Sequence, residues 1–337
     1  MRRTGLLPLH RWLGLIMAPF LLLQALTGAF LVIREATVAD PPATIASAGA
    51  FVAAARQAQP GYRVTRLFLP ASTGPDAFAE MHSPGGLRSY IALDGATARP
   101  LETGGLWRFP YRAVLQLHYG LASGTAGLIV VAALGGALAF SAVTGLVFWW
   151  PGLRRIPQTL KVRRKLPGHA RLRQWHRSVG AVVAVLALFS GITGVLLSVP
   201  DVIDAMAPAG APSAAAPELS PVEIDRAIAA AQARFPGARL RDVRFPPADK
   251  LTIDFDAPER NARAVHVVAV RPSDGAVLKA QAAQENPALW MMVLALHTGE
   301  KFGATGLALL LAEAGALIFL AIAGAAMWLR TWRKAKS

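Results

Sequence analysis

Two motifs, each present twice, place four histidines at matched positions in a chain that has no cysteine. The first motif begins at His10 and again at His176: Arg follows directly, Gly comes four residues later, and Thr-Gly comes seventeen and eighteen residues later. The second begins at His118 and at His297, with Gly nine residues and Trp thirty-one residues beyond the histidine. Neutral imidazole is the commonest metal ligand in proteins, so these four recurring histidines are candidate metal ligands.

Each of these histidines stands near one end of a long apolar run. The runs cover residues 13–33, 128–150, 179–199 and 304–328, and about 20 apolar residues are what an α-helix needs to cross a bilayer core. With 54% hydrophobic and 16% charged residues, the chain has the composition of a membrane protein. The first run has a mid-chain counterpart, so it predicts a span rather than a cleaved signal peptide. We expect Glu313, within the fourth run, to face the bundle interior or a water-filled pocket, because a carboxylate facing lipid is costly.

Lys and Arg are concentrated in three segments beside these runs, residues 1–11, 151–177 and 330–337. The middle segment carries nine Lys and Arg residues and no Asp or Glu. The positive-inside rule therefore predicts that both termini and this loop are cytoplasmic, in a bacterial inner membrane, and that the regions between them are periplasmic. The net charge of +15 then reflects topology and contact with membrane lipid, and no motif indicates a nucleic-acid partner.

The two periplasmic regions share one pattern. Residues 51–61 and 220–237 each have the pattern of a helix that stops at Pro-Gly. Strand-like runs follow each of them, at 62–70, 77–83 and 89–101 in the first region and at 239–246, 250–257 and 264–272 in the second. We expect a helix followed by a small antiparallel sheet, twice, with the Ala- and Pro-rich residues 207–217 as a flexible tether.

The predicted fold class is an α-helical membrane protein with four transmembrane helices, two periplasmic α+β domains and an internal duplication, residues 1–150 and 169–330. In chain order we predict a transmembrane helix with a cytoplasmic N-terminus (1–33), a periplasmic domain (34–114), a second transmembrane helix (115–150), a basic cytoplasmic loop (151–175), a third transmembrane helix (176–199), a second periplasmic domain (200–293), a fourth transmembrane helix (294–329) and a cytoplasmic tail (330–337).

Three pairs of short segments carry a family resemblance. They are the entrances LHRWLG and WHRSVG, the entrances LQLHYG and LALHTG, and the strand-turns YIALDGATARPL and VVAVRPSDGAVL. Through them the chain resembles the PepSY-associated transmembrane family. The resemblance implies PepSY-like periplasmic domains. It also implies an iron-regulated inner-membrane protein or a ferric-siderophore reductase that holds b-type haem between its membrane helices.

The histidines point to the same cofactor without the resemblance. By side of the membrane, His10 pairs with His176 on the cytoplasmic side and His118 pairs with His297 on the periplasmic side. Bis-imidazole ligation of haem iron needs two neutral histidines from opposite faces, so the arrangement predicts two haems, of the b type that the resemblance implies, with these four residues as iron ligands. The absence of cysteine from the sequence excludes c-type haem attachment, iron–sulfur clusters and disulfides. A structural alternative stays open, since duplication alone would preserve histidines that cap helices or contact lipid headgroups.

Glycines and further histidines accompany these motifs. Glycines after the four histidines would let a flat macrocycle approach the backbone, or would serve close helix packing: Gly14, Gly120, Gly180 and Gly299. His169 lies two turns before His176 on the same face if the helix begins that early, and would then replace it or bind an additional haem. The Pro-Gly pair at 167–168 favours a loop instead. His82 and His266 are predicted to be ordinary sheet residues.

The predicted function is electron transfer across the membrane, from a cytoplasmic donor or a quinol, through two haems, to a periplasmic ferric-siderophore. Reduction to Fe(II) weakens the grip of hard oxygen ligands and frees the metal. The sequence has no glycine-rich dinucleotide motif, so we expect the donor to be another molecule. Two alternatives stay open: a non-enzymatic PepSY membrane module that binds peptides or proteases, and a cytochrome subunit that feeds another periplasmic oxidoreductase. The sequence assigns no catalytic residue.

Overall fold

The structure is a computed structural model that describes residues 3–70, 74–163, 165–206, 218–246 and 249–336. The predicted tether at 207–217 lies outside these residues, as do Arg2 and Arg164 of the basic segments. The chain divides into two compact units. One is helical and comprises Met1–Ile33, Val114–Ala207 and Val293–Ser337; the other contains helices and strands and comprises Arg34–Ala113 and Pro208–Met292. We call them the helical unit and the α/β unit.

The regular elements are as follows in chain order. The α-helices are Arg3–Thr37 (α1), Ala48–Ala58 (α2), Pro110–Gly120 (α3), Gly124–Trp149 (α4), Ile156–Leu160 (α5), Gly168–Met206 (α6), Pro221–Gln232 (α7), Leu289–His297 (α8) and Gly303–Lys336 (α9). The strands are Arg63–Phe68 (β1), Ala77–His82 (β2), Arg88–Leu93 (β3), Pro100–Gly104 (β4), Leu240–Arg244 (β5), Leu251–Asp256 (β6), Val265–Arg271 (β7) and Ala276–Gln281 (β8).

Within the described ranges, four helices are long and apolar enough to cross a membrane: α1, α4, α6 and α9. Each coincides with one of the four apolar runs, so the prediction of four membrane helices is confirmed. Most of these helices extend past the runs, because they continue into polar sequence at one or both ends. The clearest case is α6, which begins at Gly168, eight residues before His176.

Two glycines set the crossing of α4 and α6. A Cβ atom on Gly135 would lie 2.9 Å from the carbonyl oxygen of Gly191, and one on Gly191 would lie 2.7 Å from the carbonyl oxygen of Gly135. The two backbones therefore touch at a place where only glycine fits, which is the small-residue packing typical of membrane helices. This contact joins a membrane helix of the first half of the chain to one of the second half.

The chain reverses direction tightly before α4 and again before α9. A Cβ atom on Gly127 would lie 1.7 Å from the carbonyl oxygen of Gly120, and one on Gly306 would lie 2.0 Å from that of Gly299. The glycine at the ninth position of the second histidine motif is thus required by this reversal. The same reversal explains why the motif recurs with the same spacing in both halves.

The reversal places two motif histidines outside the membrane helices. His118 is near the C-terminus of α3 and His297 is the last residue of α8, and a short turn separates each helix from the next. The prediction that these histidines begin the second and fourth spans is therefore wrong, and the predicted helices at 115–150 and 294–329 are each interrupted. The interruption arises where Leu121, Ala122 and Gly299 adopt left-handed backbone conformations, with φ of 50°, 52° and 73°.

The α/β unit contains one antiparallel sheet, whose order among the described residues is β4-β3-β2-β1-β5-β6-β7-β8. β1 pairs with β5, with Leu67 opposite Val243. Each half of the chain contributes a helix and four consecutive strands, one strand more than the three strand-like runs expected in each region. The two small sheets that we expected are nevertheless joined into one, because pairing β1 with β5 satisfies backbone groups that two separate sheets would leave open at an edge.

The helices α2 and α7 pack on one face of this sheet, and they confirm the prediction of one helix before the strands of each region. Phe51 of α2 and Ile224 of α7 are fully buried in the core they share with the strands. Asp225 of α7 accepts hydrogen bonds of 2.8 Å from the backbone N–H of Gly49 and from Oγ of Ser47, at the start of α2. The N-terminus of α2 is therefore stabilised by a carboxylate from the other half of the chain.

Charged side chains lie along the junction of β1 and β5. Nε of Arg66 is 2.9 Å from Oδ1 of Asp242, which is only 1% exposed, and Nη2 of Arg244 is 3.0 Å from Oδ2 of Asp254. Burial, together with the neighbouring Asp242, raises the pKa of Asp254 to about 6. Arg66 from the first half and Arg244 from the second half thus form ion pairs with the buried carboxylates of Asp242 and Asp254, where the two halves join.

Candidate metal centres

At one end of the helical unit, His118 of α3 and His297 of α8 lie close together. Their ring centroids are 6.3 Å apart, with 47° between the ring planes. Two imidazoles that bind one metal ion from opposite sides, through bonds of about 2 Å, have ring centres roughly 6 Å apart. The observed spacing therefore suits two ligands of a single metal ion.

A threonine on a membrane helix holds each of these imidazoles. Nδ1 of His118 is 3.0 Å from Oγ1 of Thr27, and Nδ1 of His297 is 2.8 Å from Oγ1 of Thr193. Both hydroxyls donate their proton to the carbonyl oxygen four residues earlier, over 2.7 and 2.8 Å. The threonine oxygen is left as an acceptor, so we assign the ring proton of each histidine to Nδ1. Nε2 then keeps its lone pair for a metal ion.

The glycine after each threonine makes room for the imidazole. A Cβ atom on Gly28 would lie 3.1 Å from Cε1 of His118, and one on Gly194 would lie 3.9 Å from Cε1 of His297. The Thr-Gly dipeptide of the first motif therefore serves the histidine of the second motif. Its threonine accepts the Nδ1–H hydrogen bond and its glycine leaves space for the ring.

His10 has the same arrangement near the other end of the membrane helices. Its Nδ1 lies 2.9 Å from Oγ1 of Thr144, whose hydroxyl donates over 2.8 Å to the carbonyl oxygen of Phe140. A Cβ atom on Gly145 would lie 3.5 Å from Cε1 of His10. The ring also packs edge to face on Phe148, with 5.9 Å between centroids. His10 thus has the same ring tautomer as the first two histidines.

His176 departs from this pattern in one respect. A Cβ atom on Gly324 would lie 3.6 Å from Cε1 of His176, so the matching glycine is present. The residue before this glycine is Ala323, where the other three positions have threonine. Nδ1 of His176 is buried and has no hydrogen-bond partner among the described residues. His10 is near enough to His176 to interact with it electrostatically.

The two histidine pairs are widely separated along the membrane helices. Thr27 comes seventeen positions after His10 on α1, and Thr193 comes seventeen positions after His176 on α6. Seventeen residues of α-helix span about 25 Å. Each pair therefore belongs to a different end of the helical unit.

The donor set of each pair fits haem iron. Two neutral imidazoles from different helices are the axial ligands of a bis-histidine haem, and the porphyrin supplies the remaining ligands. An added Cβ on Gly14 would meet no described atom within 4 Å, so the backbone is open there, whereas one on Gly180 would be in ordinary contact with a leucine side chain at 3.7 Å. Gly120 and Gly299 face the chain reversal instead, so the expected role of making room for a macrocycle is wrong for these two.

Three further histidines have other environments. His169 lies on α6, which begins at Gly168, so the expected loop is wrong; its side chain is exposed in the first helical turn. His82 closes β2. His266 lies in β7, where its Nε2 is 3.0 Å from Oε1 of Glu259. The last two are sheet residues, as predicted.

The threonines are functional candidates that sequence reasoning did not identify as partners of histidine. Thr-Gly was recognised in the first and third runs, but only as part of a repeat. Thr144, in the second run, was missed because the corresponding residue of the fourth run is Ala323, so no repeat marks the position. The available signal was that Thr144-Gly145 follows His118 at the same distance at which Ala323-Gly324 follows His297.

These features define a helical membrane protein of several spans, with two histidine pairs among its helices and a separate α/β unit. The family model described as the PepSY-associated TM region matches residues 7–331, nearly the whole chain. The chain therefore belongs to the PepSY-associated TM family, and the resemblance noted in its motifs is confirmed. No curated protein matches the chain.

Proposed function

We propose that the protein is a di-haem b-type reductase of the bacterial inner membrane. His118 and His297 would hold one haem, and His10 and His176 the other, each through Nε2. The observation that carries the proposal is the pair at 6.3 Å, His118 and His297, whose Nδ1 atoms are both fixed by threonine. A hydrogen bond that fixes the tautomer and orientation of a histidine is the usual support of a metal ligand.

The haem, when bound, supplies one-electron transfer. The residues of the chain orient and tune the ligands. Thr27, Thr144 and Thr193 keep the ring proton on Nδ1, which raises the basicity of Nε2. The adjacent glycines let each ring lie against a helix. The apolar helices would surround the centres with a medium of low dielectric, and burial is one of the factors that set the reduction potential of a haem.

The proposed path leads from the cytoplasm to the periplasm. The Lys and Arg distribution supports cytoplasmic termini, a cytoplasmic basic loop and a periplasmic α/β unit formed by two duplicated PepSY-like halves. Electrons would enter at His10 and His176, from a soluble donor or from a quinol. They would leave at His118 and His297 to a ferric-siderophore, and the Fe(II) product would be held less tightly by oxygen ligands.

An absorption spectrum of the purified protein, oxidised and then reduced with dithionite, tests this proposal. We expect sharp α and β bands on reduction, typical of six-coordinate b-type haem, and a pyridine haemochrome content of two haems per chain. Protein from haem-replete cells that contains no haem would overturn the proposal in favour of a non-enzymatic PepSY module. Two haems without reduction of any ferric chelate would favour a cytochrome subunit that feeds another periplasmic oxidoreductase.

Replacing Thr193 by valine should weaken haem binding at His297. Valine has nearly the shape of threonine but cannot accept the Nδ1–H hydrogen bond, and losing such a supporting bond typically costs about 10- to 100-fold in affinity for the metal group. The measurement is haem retention by the purified variant during dilution and competition with an apo-haem-binding protein.

Two further variants serve as controls for this prediction. Thr193→Ser keeps the hydroxyl and should bind haem like the wild type. Thr331→Val changes a threonine whose hydroxyl also donates to a carbonyl oxygen of α9 and which, within the described part of the chain, has no hydrogen bond to a histidine; it should have no effect. Equal haem retention in Thr193→Val and the wild type would show that the threonine bond does not support a ligand.

A further inference from the structure

Glu313 is a buried carboxyl group within a membrane helix. It lies on α9 with only 3% of the residue exposed, and Ser190 of α6 donates a hydrogen bond of 2.9 Å from Oγ to its Oε2. The second oxygen, Oε1, is buried and has no hydrogen-bond partner among the described residues. The expectation that Glu313 faces the bundle interior is confirmed, and its side chain retains an unused acceptor.

Among the residues that the structure describes, no counter-charge lies next to this carboxyl group. α9 packs against α6 and the short turn Glu300–Phe302, and its Trp328 contacts Trp12 of α1. The charged residues that flank the apolar parts of these elements are Arg11, Arg34, Arg177, Asp201, Glu300, Lys301 and Arg330. None of them forms an ion pair with Glu313 within the part of the chain that the structure describes. An ionised carboxylate at this place would therefore be compensated only by positive charge on an oxidised metal centre, and once reduction removes that charge, protonation removes the cost of a carboxylate in a medium of low dielectric.

The contact with Ser190 ties Glu313 to the centre of His118 and His297. Ser190 lies one helical turn before Thr193, on the same side of α6. Thr193 in turn holds Nδ1 of His297. A change of charge at this centre acts on Glu313 through protein rather than through water, and electrostatic interactions are much stronger in that medium.

We infer that Glu313 is a proton-binding site linked to the oxidation state of the centre at His118 and His297. When one electron arrives from the soluble donor or quinol, the Glu313 carboxylate takes up one proton from water. When the electron passes to the ferric acceptor, the carboxyl group returns that proton to water. The negative charge of the added electron is then balanced by the positive charge of the added proton inside the bundle. The inference rests on the proposed function, since it requires a redox centre at this pair.

A spectroelectrochemical titration of the full-length protein in detergent, at several pH values, tests the inference. In the wild type, proton uptake stabilises the reduced form of the centre at His118 and His297. The midpoint potential of one of the two haem components in the titration should therefore fall as pH rises. The reduced-to-oxidised ratio should change by up to tenfold per pH unit, which is 59 mV for a one-electron couple. In Glu313→Gln, which keeps the size of the side chain but cannot ionise, that component should be independent of pH.

Infrared difference spectra of the same samples give a second readout. A signal from a protonated carboxyl group should appear on reduction of the wild type and should be absent from Glu313→Gln. Glu313→Asp retains a carboxyl group and should retain the pH dependence. Glu285→Gln, a matched change at an exposed position of the α/β unit, should leave both readouts unchanged.

The possible outcomes separate this inference from the proposed function. A pH dependence that survives Glu313→Gln, or a wild type with no pH dependence, overturns the inference and leaves the haem function standing. If Glu313→Gln fails to fold, the wild-type infrared spectrum decides, because the absence of a carboxyl signal on reduction also overturns the inference. A purified protein without haem overturns the proposed function itself.

Discussion

Replacing His118 by alanine is expected to remove one haem of two, leaving roughly half of the wild-type pyridine haemochrome signal, because a bis-imidazole iron loses one axial ligand. A five-coordinate centre beside an unchanged six-coordinate one is the milder form of the same result. His297→Ala should give the same loss. The double substitution should be little worse than either single one, since the effects of partners in one site are not additive.

One control variant and two contrary outcomes test this prediction. His82→Ala changes a histidine of the sheet, and both haems should remain. The pairing is wrong if His118→Ala and His297→Ala each erase a different haem and together erase both. Retention of both haems in each single variant would mean that neither residue is an axial ligand.

The other two motif histidines should behave differently towards different reductants. Changing His10 or His176 should leave the centre at His118 and His297 chemically intact but cut off from its cytoplasmic donor. Reduction of a ferric chelate by that donor should therefore fail in variants of all four histidines. Dithionite should still reduce the remaining haem of the His10 and His176 variants.

Alkaline phosphatase fused after Ala280 is expected to be active, and the same reporter fused after Lys161 is expected to be inactive. The reporter folds only in the periplasm. Lys161 lies in the basic connection that the positive-inside rule assigns to the cytoplasm, and Ala280 lies in β8 of the α/β unit. The measurement is reporter activity per amount of fusion protein.

A cytoplasmic reporter should give the complementary pattern at the same two positions, which controls for expression. Activity of the phosphatase after Lys161, or its absence after Ala280, would invert the topology. It would also reverse the direction proposed for electron entry, while leaving the pairing of the histidines to the haem-content experiment.

The membrane helices could be predicted from sequence because their signal is local. Length and apolar composition alone locate α1, α4, α6 and α9, and capping residues locate α7. The joining of two small sheets into one could not be predicted in this way. It depends on pairing between β1 and β5, which are far apart in sequence, and no local pattern specifies which edge strands meet.

The site shows the same division between local and non-local information. The repeated motifs identified all four histidines, because each of them has a counterpart at a matched position in the other half of the sequence. It did not identify their threonine partners, since each bond joins two different helices, as in Thr27 with His118. Ala323 stands where the other three sites have threonine, and this difference could be recognised only once the structure placed Gly324 beside His176.

The pairing of β1 with β5 also constrains how the protein is made. β1 is synthesised with the first half of the chain, whereas its partner strand follows only after two further membrane helices. In the meantime β1 is an open sheet edge, a surface on which chains aggregate, and Arg63 and Arg66 lie on it as charged residues that discourage such pairing. When β5 arrives, Arg66 binds the buried Asp242. Arg66 thus discourages aggregation at the edge of the incomplete sheet, and in the complete sheet it forms an ion pair where β1 meets β5.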